Sequence, residues 1–487
     1  MSDNMNAKIG QATVWSSVTQ IIAKLISPIV NMILARLLTP DAFGVVATVT
    51  MVISFAEIFT DAGFQRYIIQ HNFESEDELD KSTNVAFITN LILSLIVCLV
   101  IFLFRHNIAS LVGSPGHGNS ISIASLAIIL VAFSSIQSAR FRRSFNFKTL
   151  FFIKLGNTSI PLVITIPLAI IFRNYWALII GMLTAHFFDA VVLTIKSKWK
   201  PRLYYSFALF KEMFSFSIWS LFESISIWLT SYIGVFVVGR TLNTHYLGLY
   251  NTSIGTVNAY MSIITAAISP VLFSALSRTQ DDEGQFSKTY YFFQRIVAVF
   301  VLPMGFGIYI FKDLVTLILL GEQWMEASDF IGLWGLTSAL VIAISYFASD
   351  VYRSKGNPRL STVSQLLQIA VLIPALIISS DYGFKAIYIT RSLARIELLL
   401  SALIFMHFIY KFKVWDVFKN IMPMLISSCV MSLVAIGLNM IWEGMALQIV
   451  AVLICVIVYF AVLLIFPQIR REIFDGARKF LRKNKRY

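Results

Sequence analysis

VWSSVTQIIAKLISPIVNMILARLLTPDAFG, residues 14–44, returns 204 positions later as IWSLFESISIWLTSYIGVFVVGRTLNTHYLG, residues 218–248. The two align without a gap, and nine of the 31 pairs are identical. Trp15 falls on Trp219, Ser16 on Ser220, Arg36 on Arg240, Leu38 on Leu242 and Gly44 on Gly248. Two apolar helices share a few identities by chance, so the weight rests on the Trp-Ser pair and the Arg-x-Leu-x5-Gly end. Each copy is one apolar run, long enough for a bilayer that takes about 20 residues, followed by the start of another.

The whole chain has this character. Of 487 residues, 57% are hydrophobic and 13% charged, with a mean hydropathy of +0.76. Soluble domains carry about 25% charged residues. Fourteen apolar runs are candidate spans: 11–36, 42–65, 83–104, 119–139, 151–172, 175–195, 213–239, 246–276, 289–311, 327–349, 362–380, 384–410, 420–441 and 445–466. The eighth is long enough to hold a break near Pro270. Long unbroken runs indicate helices rather than the alternating strands of a barrel. The fold class expected is an all-α polytopic membrane protein.

The net charge of +13 is read as topology. With the N-terminus in the cytoplasm, 29 of the 39 Lys and Arg fall on inside segments and 6 outside, with 4 in spans. That asymmetry places both termini inside. A shift of six helices preserves orientation, which makes the repeat parallel. The expected organisation is an N-lobe over 1–211, a C-lobe over 212–412, two further helices in 413–466 and a basic cytoplasmic tail in 467–487. Two six-helix bundles are a transporter architecture; a duplicated scaffold without transport is the plainer alternative. Within the tail, Ile473, Ala477, Phe480 and Leu481 recur at helical spacing, an amphipathic pattern suited to an anionic leaflet.

Chemistry-bearing motifs are few. GxxxxGK[ST], HExxH and GxSxG do not occur, so neither an ATP site nor a hydrolase is expected. Cys98, Cys429 and Cys455 lie in apolar runs without CxxC spacing. No metal or other cofactor is expected, and no nucleic acid.

Ala35-Arg36-Leu37-Leu38-Thr39-Pro40-Asp41-Ala42-Phe43-Gly44 resembles the first-loop signature of Wzx-type polysaccharide flippases. These belong with the multidrug (MATE) exporters and lipid II flippases. Asp61-Ala62-Gly63-Phe64 with Ile68-Ile69-Gln70 resembles the end of their second helix, and Gln137 to Phe147 their basic loop. Ser277 to Asp282 and Gly321-Glu322-Gln323-Trp324 are similar to the colanic-acid-exporter-like branch. The resemblance implies alternating-access export of an undecaprenyl-diphosphate-linked oligosaccharide across a bacterial inner membrane, for surface polysaccharide or lipopolysaccharide biosynthesis. Membrane lipids and polymerase or co-polymerase machinery are the partners it implies. It supplies no catalytic residue: a secondary transporter, not an enzyme.

Charges inside spans cost about 2.5–3.5 kcal/mol each at mid-helix. Lys24, four residues before Pro28, sits midway along the first span. Arg391 and Arg395 stand i and i+4 on the twelfth, two guanidinium forks suited to a diphosphate. Arg295 is the fourth basic candidate. Together they are expected to form a cationic substrate cavity between the lobes, each weighed against internal ion pairing. Glu57 and Asp61, also i and i+4, and Glu223 are candidates for ion coupling or gating. His186 and Asp189 fit interhelical hydrogen bonding. Trp228 and Trp334, deeper than the other tryptophans, fit core packing better than sugar stacking. Two other readings compete: a MATE-like ion-coupled antiporter, which wants an acidic cavity, and an integral membrane glycan polymerase or ligase, which wants a large outside loop.

Overall fold

The computed structural model describes the backbone of residues 2–61, 63–442 and 444–472, with side chains except at 2–14, 16, 17, 21, 61, 216 and 218–220. Every regular element among the described residues is helical. In order they are α1 Ser2–Leu37, α2 Pro40–Asp61, α3 Phe64–Gln70, α4 Glu76–Leu103, α5 Arg105–Leu111, α6 Gly118–Ala124, α7 Leu126–Arg143, α8 Phe147–Ile160, α9 Ile166–Phe172, α10 Trp176–Lys196 and α11 Phe207–Thr241. There follow α12 Thr244–Arg278, α13 Glu283–Ile310, α14 Lys312–Leu319, α15 Ser328–Ile344, α16 Ala348–Ser354, α17 Arg359–Ser380, α18 Gly383–Leu393, α19 Ile396–Phe408, α20 Val414–Ile441 and α21 Met445–Leu463.

Local chemistry sets many of the ends. Ser75 caps α4 by accepting from the Glu78 amide at 3.2 Å, ahead of a first turn holding Glu76, Asp77 and Glu78. Asn146 caps α8 and Asp282 caps α13 in the same way. Such caps contribute about 1 kcal/mol each, and the acidic turn complements the helix dipole. Pro161 starts a π-helical turn, Pro161–Thr165, that joins α8 to α9 within one span.

Thirteen helices among the described residues are long and apolar enough to cross a membrane. They correspond to all the expected spans but the twelfth. That run is two helices, α18 and α19, of 11 and 13 residues, with the break at Ala394 and Arg395. Arg391 and Arg395 therefore do not share one helix face. The break expected near Pro270 is absent, because α12 runs unbroken through it. Many large apolar side chains on the spanning helices stay exposed, Leu103, Val163, Leu433 and Ile457 among them. Hydrocarbon solvent explains them, whereas the buried contacts include many Ser and Thr, such as Ser82, Thr83 and Ser94.

Two compact units emerge. The first is Met1–Ala259 with Ile369–Arg391. One of its cores gathers Phe64, Tyr67, Phe87, Ile136 and Trp199; another packs Val30, Leu34 and Leu38 against Ala169 and Ala177. The second unit is Tyr260–Gln368 with Ser392–Tyr487. Its core joins Ala298 and Leu302 of α13 to Met424 and Met431 of α20 and to Cys455 and Tyr459 of α21. The Tyr459 hydroxyl donates to the Val299 carbonyl at 2.8 Å. Of the tail, residues 473–487, including the expected amphipathic face, lie outside the described residues.

Candidate functional site: a cationic cavity in the first unit

Three arginines end α7, and helical spacing sends them in two directions. Arg140 and Arg143, three apart, turn toward α3 and α4. Arg140 bonds Asp80 and Thr83 and lies 3.7 Å from Glu76. Arg143 donates to the carbonyls of Ile68 (3.0 Å) and His71 (2.7 Å) and stacks over Phe73. Arg142 instead lines a cavity of about 690 Å³ bounded by α1, α7, α8 and α10. Among the described residues it has no hydrogen-bond or ion-pair partner.

Lys154, two turns into α8, lines the same cavity with Thr19, Gln20, Ser138 and Asp189. It is within electrostatic range of both Asp189 and His186. Asp189 is steadied by Asn157, whose Nδ2 donates to its Oδ2 at 2.8 Å and to the Ala185 carbonyl at 3.2 Å. The other oxygen, Oδ1, is buried without a hydrogen-bond partner among the described residues. Lys24 follows Gln20 by one turn, half-buried, and also lacks a partner among the described residues. The cavity wall thus carries Arg142 and Lys154 against one carboxylate. By sequence alone Arg142 and Lys154 read as inside-loop charges. The signal that sets Lys154 apart is its place three residues before Asn157, on a face already polar.

At the opposite end of these helices the repeat becomes a contact. The shift of 204 carries the end of α1, Leu37, onto the end of α11, Thr241, and the start of α2, Pro40, onto the start of α12, Thr244. A Cβ on Gly44 would lie 1.8 Å from the Thr244 carbonyl oxygen, and one on Gly248 would lie 1.8 Å from that of Pro40. Each would also come within 3.1 Å of the other glycine's amide nitrogen. These contacts exchange under the repeat, so a local two-fold axis passes between the glycines. Asp41 accepts from Thr244 Oγ1 at 3.1 Å, and His245 Nδ1 lies 3.4 Å from its other oxygen.

The gating candidates are tied into the same unit. Glu223 pairs with Arg66 at 2.6 Å. Tyr67 donates to Glu212 at 2.7 Å; burial first, and then Glu212, pushes its hydroxyl well above the usual range, so it remains a donor. Glu57 lies half-buried on α2 and is engaged by neighbours. The Asp61 side chain falls outside the described residues. Trp228, half-buried, packs against the exposed Phe55 with ring centroids 4.6 Å apart and donates to Ser54 at 3.1 Å.

The remaining basic candidates sit apart from that cavity's lining. Arg391, buried in the first unit, reaches the Thr230 carbonyl at 3.4 Å and bonds Tyr250. Arg295, in the second unit, forms a bidentate pair with Glu472 at 2.6 and 3.2 Å and also bonds Asn420. Arg395, also in the second unit, stacks 4.3 Å over the centre of Trp334 and bonds Ser338. No cluster of three metal-binding side chains exists among the described residues.

The model of the family described as polysaccharide biosynthesis protein matches residues 33–329. The chain is 25% identical over 316 residues to the succinoglycan biosynthesis transport protein ExoT of Rhizobium meliloti, a match that covers 65% of this chain and 63% of that protein. It is 21% identical over 440 residues to the lipopolysaccharide biosynthesis protein WzxC of Escherichia coli, covering 87% of each. Among solved structures, the lipid II flippase MurJ in an inward closed conformation superposes with a TM-score of 0.75 at 15% identity. That superposition covers 94% of this chain and 99% of the other.

Proposed function

The chain belongs to the polysaccharide biosynthesis protein family, and on that premise we propose that it flips a lipid-linked oligosaccharide across the membrane by alternating access. The substrate class is an undecaprenyl-diphosphate-linked glycan destined for a surface polysaccharide. The observation that carries this reading is the pair of cations Arg142 and Lys154, exposed to one open cavity near the end of α7 and without an ion-pair partner among the described residues, with Lys24 on α1 one turn beyond Gln20 of its lining. Two unpaired cations facing one space, with a third nearby, favour an anion there. A diphosphate supplies several acceptor oxygens for them.

In this mechanism the cations hold the diphosphate while the glycan crosses in water and the polyprenyl chain stays in lipid. Arg391, bonded to Tyr250 and the Thr230 carbonyl, and Arg395, stacked on Trp334, are outside this cavity's lining and take no part in holding the diphosphate there. Arg295, held by Glu472 and Asn420, anchors the C-terminal segment. With the cytoplasm negative, outward movement of the anion is favoured by about 2.3 kcal/mol per charge per 100 mV at most. Glu57, Asp61 and Glu223 govern gating or ion coupling. Residues 1–211 and 212–412 act as the two lobes, 413–466 as added helices, and 467–487 as a basic tail on the cytoplasmic leaflet of the inner membrane. Export machinery that polymerises the glycan is the partner downstream. A MATE-like antiporter for cationic drugs fits less well, because Asp189, the one acid lining this cavity among the described residues, stands against Arg142 and Lys154.

The test is charge reversal in the producing cell. Lys24→Glu and Lys154→Glu are expected to abolish surface polymer while the lipid-linked repeat accumulates inside, with Lys24→Arg retaining export. Normal export from both reversed variants, at matched membrane levels, would remove the cavity from the mechanism.

A further inference from the structure

Beside the cavity of Arg142, the same end of the first unit carries a second cleft, of about 710 Å³. The last turn of α7, the α7–α8 turn, the end of α10 and Trp15 of α1 form its walls. Five of its lining residues are basic: Arg140, Arg143, Lys148, Lys196 and Lys198; Glu76 is the one acid among those described. Arg140 and Arg143 are fixed by the bonds described above, so their guanidinium groups are ordered before any ligand arrives. Lys196 and Lys198 have no hydrogen-bond or ion-pair partner among the described residues. Lys148 meets only the ring of Trp15, 6.0 Å from its centre.

A second, independent observation comes from Trp199. It lines the cleft, is 6% exposed, and its indole N–H finds no acceptor among the described residues. Three lysines without ion-pair partners among the described residues, facing one space beside a buried tryptophan whose N–H has no acceptor, match an anion with several acceptor oxygens. The position says where that anion comes from. Three spanning helices end or begin here, at Arg143, Phe147 and Lys196. Trp15 packs on Phe151 and on the exposed Phe152, an aromatic flank of the kind found at headgroup depth.

We infer that this cleft binds the phosphate-bearing headgroup of an acidic phospholipid drawn from the adjoining leaflet. The ligand is held by Lys148, Lys196 and Lys198, with Arg143, fixed by backbone carbonyls, lending charge behind them and Arg140, paired with Asp80, shaping the wall. Its site is separate from the cavity lined by Arg142 and Lys154, and the inference stands whatever the transported molecule is.

Native mass spectrometry of the full chain, released from nanodiscs of equal phosphatidylglycerol and phosphatidylcholine, reads the occupancy. Phosphatidylglycerol is expected to be retained in preference. The triple variant Lys148→Gln, Lys196→Gln, Lys198→Gln should lose that preference by about tenfold or more, since each basic contact to an anionic leaflet counts. The corresponding triple arginine variant should keep it, which separates charge from misfolding. Arg142→Gln should also keep it. An unchanged preference in the glutamine variant would overturn the inference, as would its loss in Arg142→Gln. Displacement of the lipid by millimolar inorganic phosphate would overturn it in favour of a soluble anion.

Discussion

Gly44 and Gly248 are the residues at which the starts of α2 and α12 meet. Neither has room for a methyl group, since each Cβ would fall 1.8 Å from a backbone oxygen. Overpacking of this kind costs about 1–3 kcal/mol. In an alternating-access cycle that cost falls on the state in which the two glycines meet. Gly44→Ala and Gly248→Ala should each lower export by about tenfold or more. Cross-linking between cysteines placed beside the two glycines should fall in parallel. Export at wild-type rate from an alanine variant that no longer cross-links would mean that closure here is not part of the cycle. Asn157 has a different kind of importance. Without its amide, Asp189 keeps neither of its oxygens hydrogen-bonded among the described residues. Asn157→Ala should destabilise the protein by about 1–3 kcal/mol, read as a lower inactivation temperature in detergent. An unchanged temperature would show that water already satisfies the carboxylate.

Among the elements, α2, α3 and α11 are pinned by Arg66–Glu223, by Tyr67–Glu212 and by Trp228 on Phe55 and Ser54. The Arg66–Glu223 pair is nearly half exposed, so its static worth is about 0–1 kcal/mol. We predict that Arg66→Glu or Glu223→Arg alone reduces export while the double exchange restores it. A double variant as poor as the worse single would instead give Glu223 a role of its own, such as carrying a proton. At this scale the sequence is most legible where period and caps agree. Ser75, Asn146 and Asp282 announce their helices, and thirteen of fourteen apolar runs form single spans. It is least legible where a side chain overrides the apolar pattern. The 384–410 run reads as one helix, yet it divides at Ala394 and Arg395 beside the stacking of Arg395 on Trp334. The cationic site is half legible for a related reason. Lys24 is visible because it interrupts an apolar run, while Arg142 and Lys154 are hidden among the basic residues that mark a cytoplasmic end. Which of several neighbouring arginines turns inward depends on helix phase and on acids far along the chain, such as Asp80.

For the whole molecule, the repeat unites topology and mechanism. A parallel repeat whose helix ends coincide at a shift of 204 brings two equivalent hairpins together at Gly44 and Gly248. The cationic cavity lies at the other end of the same helices. The proposed orientation follows from 29 basic residues on one side. Reporter fusions after residues 200, 280 and 356 should therefore be active as cytoplasmic fusions, and those after 107 and 174 as external ones. The reverse pattern would turn the cationic cavity toward the outside and make the proposed direction of export untenable.

Movement of the lipid itself decides whether this cavity carries a diphosphate across the membrane. The full chain would be reconstituted into vesicles carrying a short undecaprenyl-diphosphate-linked saccharide in one leaflet. Accessibility of that saccharide to a membrane-impermeant lectin would then be followed with time, for wild type and for the Arg142→Glu, Lys154→Glu double variant. The wild type should transfer the lipid between leaflets and the double variant should do so no faster than empty vesicles, while a Lys154→Arg control stays active. Equal transfer by wild type and double variant would rule the cavity out as the path of the diphosphate.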